Sequence, residues 1–111
     1  MIEPGRNIAL KVPRHQWEAT VAFYRDRVRL RVKQASADTV AFEFGAMTLW
    51  VDRVERQSQV DVWLELIADD PDRELQQLGS PQRDELEPLD GVQGHWTSDP
   101  AGVVLLLRRE R

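Results

Sequence analysis

Apolar and polar residues alternate through Asn7 to Val12: Ile8, Leu10 and Val12 share one face and Asn7, Ala9 and Lys11 the other. The pattern predicts a strand, and Pro13 closes it. The period then lengthens. From His15 or Gln16 to about Asp26, Trp17, Val21, Tyr24 and Val28 recur at spacings of three and four. This predicts an amphipathic helix with Glu18, Arg25 and Arg29 toward solvent and with Phe23 and Tyr24 widening the buried stripe. Three β-prone segments follow, Arg31 to Gln34, Thr39 to Phe44 and Ala46 to Val54, separated by Ala35 to Asp38 and by Gly45, which reads as a meander.

The second half restarts the series. In Val60 to Ile67, Val62, Leu64 and Leu66 alternate with Asp61, Trp63 and Glu65. Asp69-Asp70-Pro71 then opens a short helix, since proline fits the first turn and acids suit its positive end; Leu75 and Leu78 give it apolar contacts and Gly79 stops it. Strands are expected over Asp84 to Pro88, Val92 to Ser98 and Val103 to Arg109, the first an edge bracketed by Pro81 and Pro88. Between the last two, Asp99-Pro100-Ala101-Gly102 spells a tight turn. Pro100 presets φ, the Asp99 carboxylate can accept from the backbone beyond it, and Gly102 tolerates positive φ. The aliphatic run Val103 to Leu107 predicts a strand covered on both faces.

The order strand, helix, three strands is thus written twice. It predicts an α+β fold: one domain over 1–111, built of two βαβββ units at about 5–55 and 58–110, whose curved mixed sheets surround a concave site. Ile8, Leu10, Val12, Val62, Leu64 and Leu66 would face the helices. Asn7, Ala9, Lys11, Asp61, Trp63 and Glu65 would look into the concave side, and a one-residue slip would exchange the sets.

Composition narrows the function classes. The absence of cysteine removes thiolate metal sites, a cysteine nucleophile and a redox switch. Net charge is −4, with 15 basic residues dispersed among 19 acidic ones, which argues against nucleic acid as a partner. No apolar run is long enough for a membrane span, and the first residues lack a signal-peptide pattern, so no membrane partner and a cytoplasmic location are expected. Of four tryptophans, Trp17 reads as core, while Trp50, Trp63 and Trp96 on strands offer flat walls for a ligand. Asp61 and Glu65 lie on one strand face about 13 Å apart by strand rise, too far for a paired acid and base but suited to anchor a cation separately. Ser98, His95 and Asp99 fall within five residues on a strand and its turn, where they cannot form a relay. An apolar final strand beside an exposed edge points to a homodimer.

With NIALKV, FYRDRVRL, DVWLELIADD and WTSDPAGVVLLL in this order, the chain resembles the vicinal oxygen chelate superfamily, which takes in glyoxalase I, bleomycin-resistance proteins, fosfomycin-resistance enzymes and extradiol dioxygenases. The resemblance covers nearly the whole chain. One departure is local: a Leu-Gly pair usually follows the Phe-Tyr, and Val28-Arg29 stands there, so the turn must be built without glycine. A second departure concerns chemistry. Metal-dependent members use histidine and glutamate ligands, and the resemblance places Asn7, Asp61 and Leu106 at such positions. Leucine cannot ligate a metal ion, so no metal and no other cofactor is expected. The resemblance then implies a metal-free small-molecule-binding protein of the bleomycin-resistance type, holding a partly aromatic or cationic ligand with Asn7, Trp50, Asp61, Trp63, Glu65 and Trp96. The alternatives are a metal-dependent lyase or oxygenase with non-standard ligands and a dimeric regulatory module.

Overall fold

The structure, a computed structural model, describes residues Met1 to Glu110. The elements are β1 (Ile2–Pro13), α1 (Arg14–Ala22) continued by a π-helical turn (Phe23–Arg27), β2 (Val32–Ala35), β3 (Thr39–Phe44), β4 (Met47–Val54), β5 (Asp61–Ala68), α2 (Pro71–Leu78), β6 (Gly94–Ser98) and β7 (Val104–Arg108). The fold class is α+β, as expected. The chain divides into two compact units: Arg6–Val62, called N-terminal below, and Met1–Gly5 with the chain from Trp63 onward, called C-terminal. Among the described residues no helix is long and apolar enough to cross a membrane.

In the N-terminal unit the strand order is β2-β3-β4-β1, with β1 parallel to β4 and the other pairs antiparallel. One sheet face carries the apolar set anticipated for it. Val12, Val40, Phe42, Leu49 and Val51 are buried there with Val21 of α1, and Ile8, Leu10, Trp17 and Tyr24 pack around them. Trp17 is fixed as well as packed, its indole N–H donating to the Val51 carbonyl at 3.0 Å.

The end of the helix departs from the expected stripe. Beyond Ala22 the turns widen, Val28 N–H reaching the Phe23 carbonyl and Leu30 N–H the Tyr24 carbonyl, both at 3.0 Å. Widening changes the angular step per residue, so spacings of three and four no longer stay on one face. Val28 and Phe23, expected in the buried stripe, are accordingly 46% and 52% exposed. The chain leaves through Arg29 at φ 67°, the one non-glycine residue with positive φ among the described residues. This is where the missing glycine is felt, because a left-handed residue with a Cβ costs about 1 to 2 kcal/mol. Arg29→Gly is expected to stabilise the fold by about 0.5 to 1 kcal/mol after the glycine's extra chain entropy is subtracted. Thermal melts should show a rise of about 2 to 8 °C, and Arg29→Ala, which keeps the Cβ, should show none.

In the C-terminal unit the order is β5-β7-β6, with β7 parallel to β5 and antiparallel to β6. The aliphatic run therefore lies on the middle strand of these three. The turn before it forms as its residues predict: the Asp99 carboxylate accepts from Ala101 N–H and Val103 N–H, both at 2.9 Å, and Gly102 has φ 94°. In α2 the Asp70 side chain caps Arg73 N–H at 3.2 Å, and Gly79 ends the helix at φ 65°. Leu75 is buried with Ala68 and Leu107, and Leu66 packs against them. Eight residues of helix reach no further, so Val62 and Leu64, assigned to the helix side, are 40% and 38% exposed.

The expected strand Asp84 to Pro88 does not form. Its residues still run beside β6, but a side chain occupies the ladder position. Arg83 N–H donates to the Trp96 carbonyl at 2.6 Å, and the returning bond from Trp96 N–H goes to the Asp84 carboxylate at 2.9 Å instead of to a main-chain carbonyl. The two surfaces from which a homodimer was expected are thus a middle strand and an irregular segment.

Candidate functional site

The face of the N-terminal sheet opposite its helix is polar, and parallel pairing of β1 with β4 builds it from residues about 40 positions apart. Register sets Asn7 beside Thr48, Ala9 beside Trp50 and Lys11 beside Asp52, and β3 adds Ala41 opposite Trp50 and Thr39 opposite Asp52. Asn7 and Trp50, proposed from sequence as ligand contacts, come together here: the indole N–H donates to the Asn7 amide oxygen at 2.7 Å. The bond fixes the ring in a half-buried position, with Ala9 and the buried Ala41 to either side in the register.

One strand step along, Lys11 Nζ donates to Asp52 at 2.8 Å, and Thr39 Oγ1 donates to the other oxygen of that carboxylate. Lys11 is buried, with 6% exposure. Sequence put Lys11 on this face but gave no reason to pair it with Asp52 or Thr39, because that pairing exists only in the β1–β4–β3 register. Lysine and aspartate neutralise each other, and the carboxylate is shared between the Lys11 ammonium and the Thr39 hydroxyl. The arrangement suits binding of a flat ring and orientation of a polar substituent.

Asp61, at the start of β5, is half-buried. Glu65 is on the expected strand face, but its carboxylate is not a separate anchor for a cation, since Arg108 Nε donates to it at 2.8 Å. Trp63 and Trp96 meet edge to face, with ring centroids 5.0 Å apart. They are 8% and 7% exposed, which makes them a buried aromatic pair of the C-terminal unit. The expectation that Trp63 floors an open pocket is corrected by this contact. Its strand face tolerates an indole beside Glu65 because Arg108 cancels the charge. Trp96 N–H of the indole is taken by the Glu87 carbonyl at 3.0 Å.

No family model matches the chain, and no curated protein matches it. Solved structures do. A glyoxalase/bleomycin resistance protein/dioxygenase superfamily member from Vibrio splendidus 12B01 superposes with a TM-score of 0.57 at 12% identity, covering 98% of each chain. A Mn(II)-bound glyoxalase from Novosphingobium aromaticivorans gives 0.67 at 17% identity over 98% of this chain and 39% of its own. The chain has the glyoxalase/bleomycin-resistance fold. A mutant of homoprotocatechuate 2,3-dioxygenase from Brevibacterium fuscum shares that fold, with a TM-score of 0.62 at 18% identity over 98% of this chain and 33% of its own. The protein therefore spans well under half of the glyoxalase and of the dioxygenase.

Metal-dependent members of the glyoxalase/bleomycin-resistance fold raise the question of a metal here. Asn7 spends its amide oxygen on Trp50. Leu106, in register between Glu65 and Trp96, has no donor atom. Among the described residues, no three histidine, aspartate or glutamate side chains are grouped so as to hold a metal ion. The donor set does not fit one.

Proposed function

We propose that the protein is a small-molecule-binding protein of the glyoxalase/bleomycin-resistance type, which sequesters or carries a partly aromatic or cationic ligand without a bound metal. The observation that carries the proposal is Trp50: a half-buried indole on the face away from the helix-packed core, flanked by Ala9 and Ala41 and held by Asn7. A flat ligand ring stacks on such a surface, a cationic ring gains further from the indole face, and the bond to Asn7 holds that ring in place.

N-methylquinolinium and its neutral counterpart quinoline are suitable probes, read by tryptophan fluorescence. Saturable quenching is expected, with Trp50→Leu weakening the cation by about 2- to 30-fold, the range of a ring–cation contact. No saturable change with either probe, or equal affinity in the variant, would overturn the reading. Zinc, manganese, iron and nickel are expected to leave the thermal midpoint unchanged, whereas a metal at one hundred times its dissociation constant would add about 2.7 kcal/mol. One equivalent of tightly held metal in the purified protein would favour a metal-dependent lyase or oxygenase with non-standard ligands instead.

A further inference from the structure

The imidazole of His95 lies between two carboxylates from different parts of the C-terminal unit. Nε2 faces Asp72 in the first turn of α2 at 2.5 Å, and Nδ1 faces Asp84 at 3.0 Å. A neutral imidazole carries one N–H and one lone pair, so only the imidazolium can donate to both. Asp84 is the residue that stands in the β6 ladder, taking Trp96 N–H with one oxygen and Gln82 Nε2 with the other. The segment 80–93 is bound to β6 also through Thr97 Oγ1, which meets the Ser80 hydroxyl at 2.7 Å and the Pro81 carbonyl at 2.6 Å, through Arg83 N–H to the Trp96 carbonyl, and through the Trp96 indole to the Glu87 carbonyl. The segment therefore serves as a strap along β6, tied through Glu87 to the indole of the Trp63–Trp96 pair.

We infer that His95 is a proton-operated latch: charged, it joins α2 to the strap through Asp72 and Asp84, and on losing its proton it gives up one of these two bonds, which loosens the strap on β6 and leaves Trp96 less well covered. Among the described residues, the contacts made bring no competing cation to His95. Arg83 is turned to Glu85 at 2.8 Å, and the β7 residue opposite His95 in the register is Leu107. Burial disfavours the charged ring, and the hydrogen bonds to Asp72 and Asp84 outweigh it, so His95 keeps its proton to higher pH than an ordinary histidine. Burial also opposes ionisation of Asp84; bonds from His95, Trp96 N–H and Gln82 outweigh that and hold its carboxyl below the usual range. A raised histidine contributes fully below its unfolded value of 6.5 and loses its contribution as pH rises through the folded value. The latch thus opens on the alkaline side of 6.5.

Hydrogen exchange of peptides covering 81–93, normalised to intrinsic rates between about pH 5.5 and 8.5, tests this. Protection is expected to fall in one step centred above 6.5, the side to which Asp72 and Asp84 move the titration of His95. Acrylamide quenching of tryptophan should rise in the same step. His95→Gln should abolish the step, and Asp72→Asn should move it to lower pH by removing one acceptor charge. His15→Gln should leave it in place, as should Glu74→Gln, which removes the partner of the Met1 ammonium at 2.7 Å. Flat protection in the parent protein, or a step that survives His95→Gln, would overturn the inference. If His95→Gln does not fold, an unmoved step in Asp72→Asn would do so.

Discussion

Replacing Trp63 with alanine is expected to remove about 3 to 5 kcal/mol of folding free energy, the largest loss foreseen for a single side chain of this protein. The indole is buried, and its ring meets the edge of Trp96 at 5.0 Å, so truncation opens a cavity and forfeits the ring contact together. Denaturant melts would measure the loss. A cycle with Trp96→Leu would isolate the pair, expected to couple by about 0.5 to 1.5 kcal/mol beyond area burial. A loss under about 1 kcal/mol would mean that Trp63 is a surface residue after all. Trp50 provides the contrast. Its half-buried ring stands between two alanines, so Trp50→Leu should cost far less stability while altering ligand binding.

The contrast between these tryptophans marks how far the sequence was legible. Period-2 alternation placed Ile8, Leu10 and Val12 toward α1 and Asn7 and Lys11 away from it, because one buried face suffices to set strand phase. The Asp99 turn was legible for the same kind of reason, since its chemistry is confined to five residues. Even the strained Arg29 could be anticipated, as the position where a helix exit lacks its glycine. Long-range register was not legible. Trp63 finds Trp96 only across β7, and Lys11 finds Asp52 only through a parallel pairing 41 residues away. Nor does any local pattern announce that a carboxylate takes a main-chain place, and this is why Asp84 to Pro88 reads as a strand and is not one. The π-helical turn similarly defeated a periodicity that presumes 3.6 residues per turn, leaving Val28 in solvent.

Gly5 illustrates the same limit and carries the second large effect. The alternation marks the first strand only from Asn7, yet β1 begins at Ile2. A Cβ built on Gly5 would overlap Cβ, Cγ and Oε1 of Glu65, whose side chain is 7% exposed and held by Arg108. Since the overlap reaches the root of that side chain, a rotation at its far end cannot relieve it. Gly5→Ala is expected to cost about 1 to 3 kcal/mol, the range of overpacking in a filled interior, and more if Glu65 is driven from Arg108 and its charge is left buried. The cause can be separated from any general dislike of alanine in the strand. In a Glu65→Gly background, which removes the Cβ as well, the space opposite residue 5 is open, and Arg108 retains its bonds to the Arg109 and Glu110 carbonyls. There Gly5→Ala should cost little, which corresponds to a coupling of about 0.5 to 3 kcal/mol between the two positions. Equal costs in both backgrounds would show that the glycine is required for some reason other than room for the Glu65 side chain.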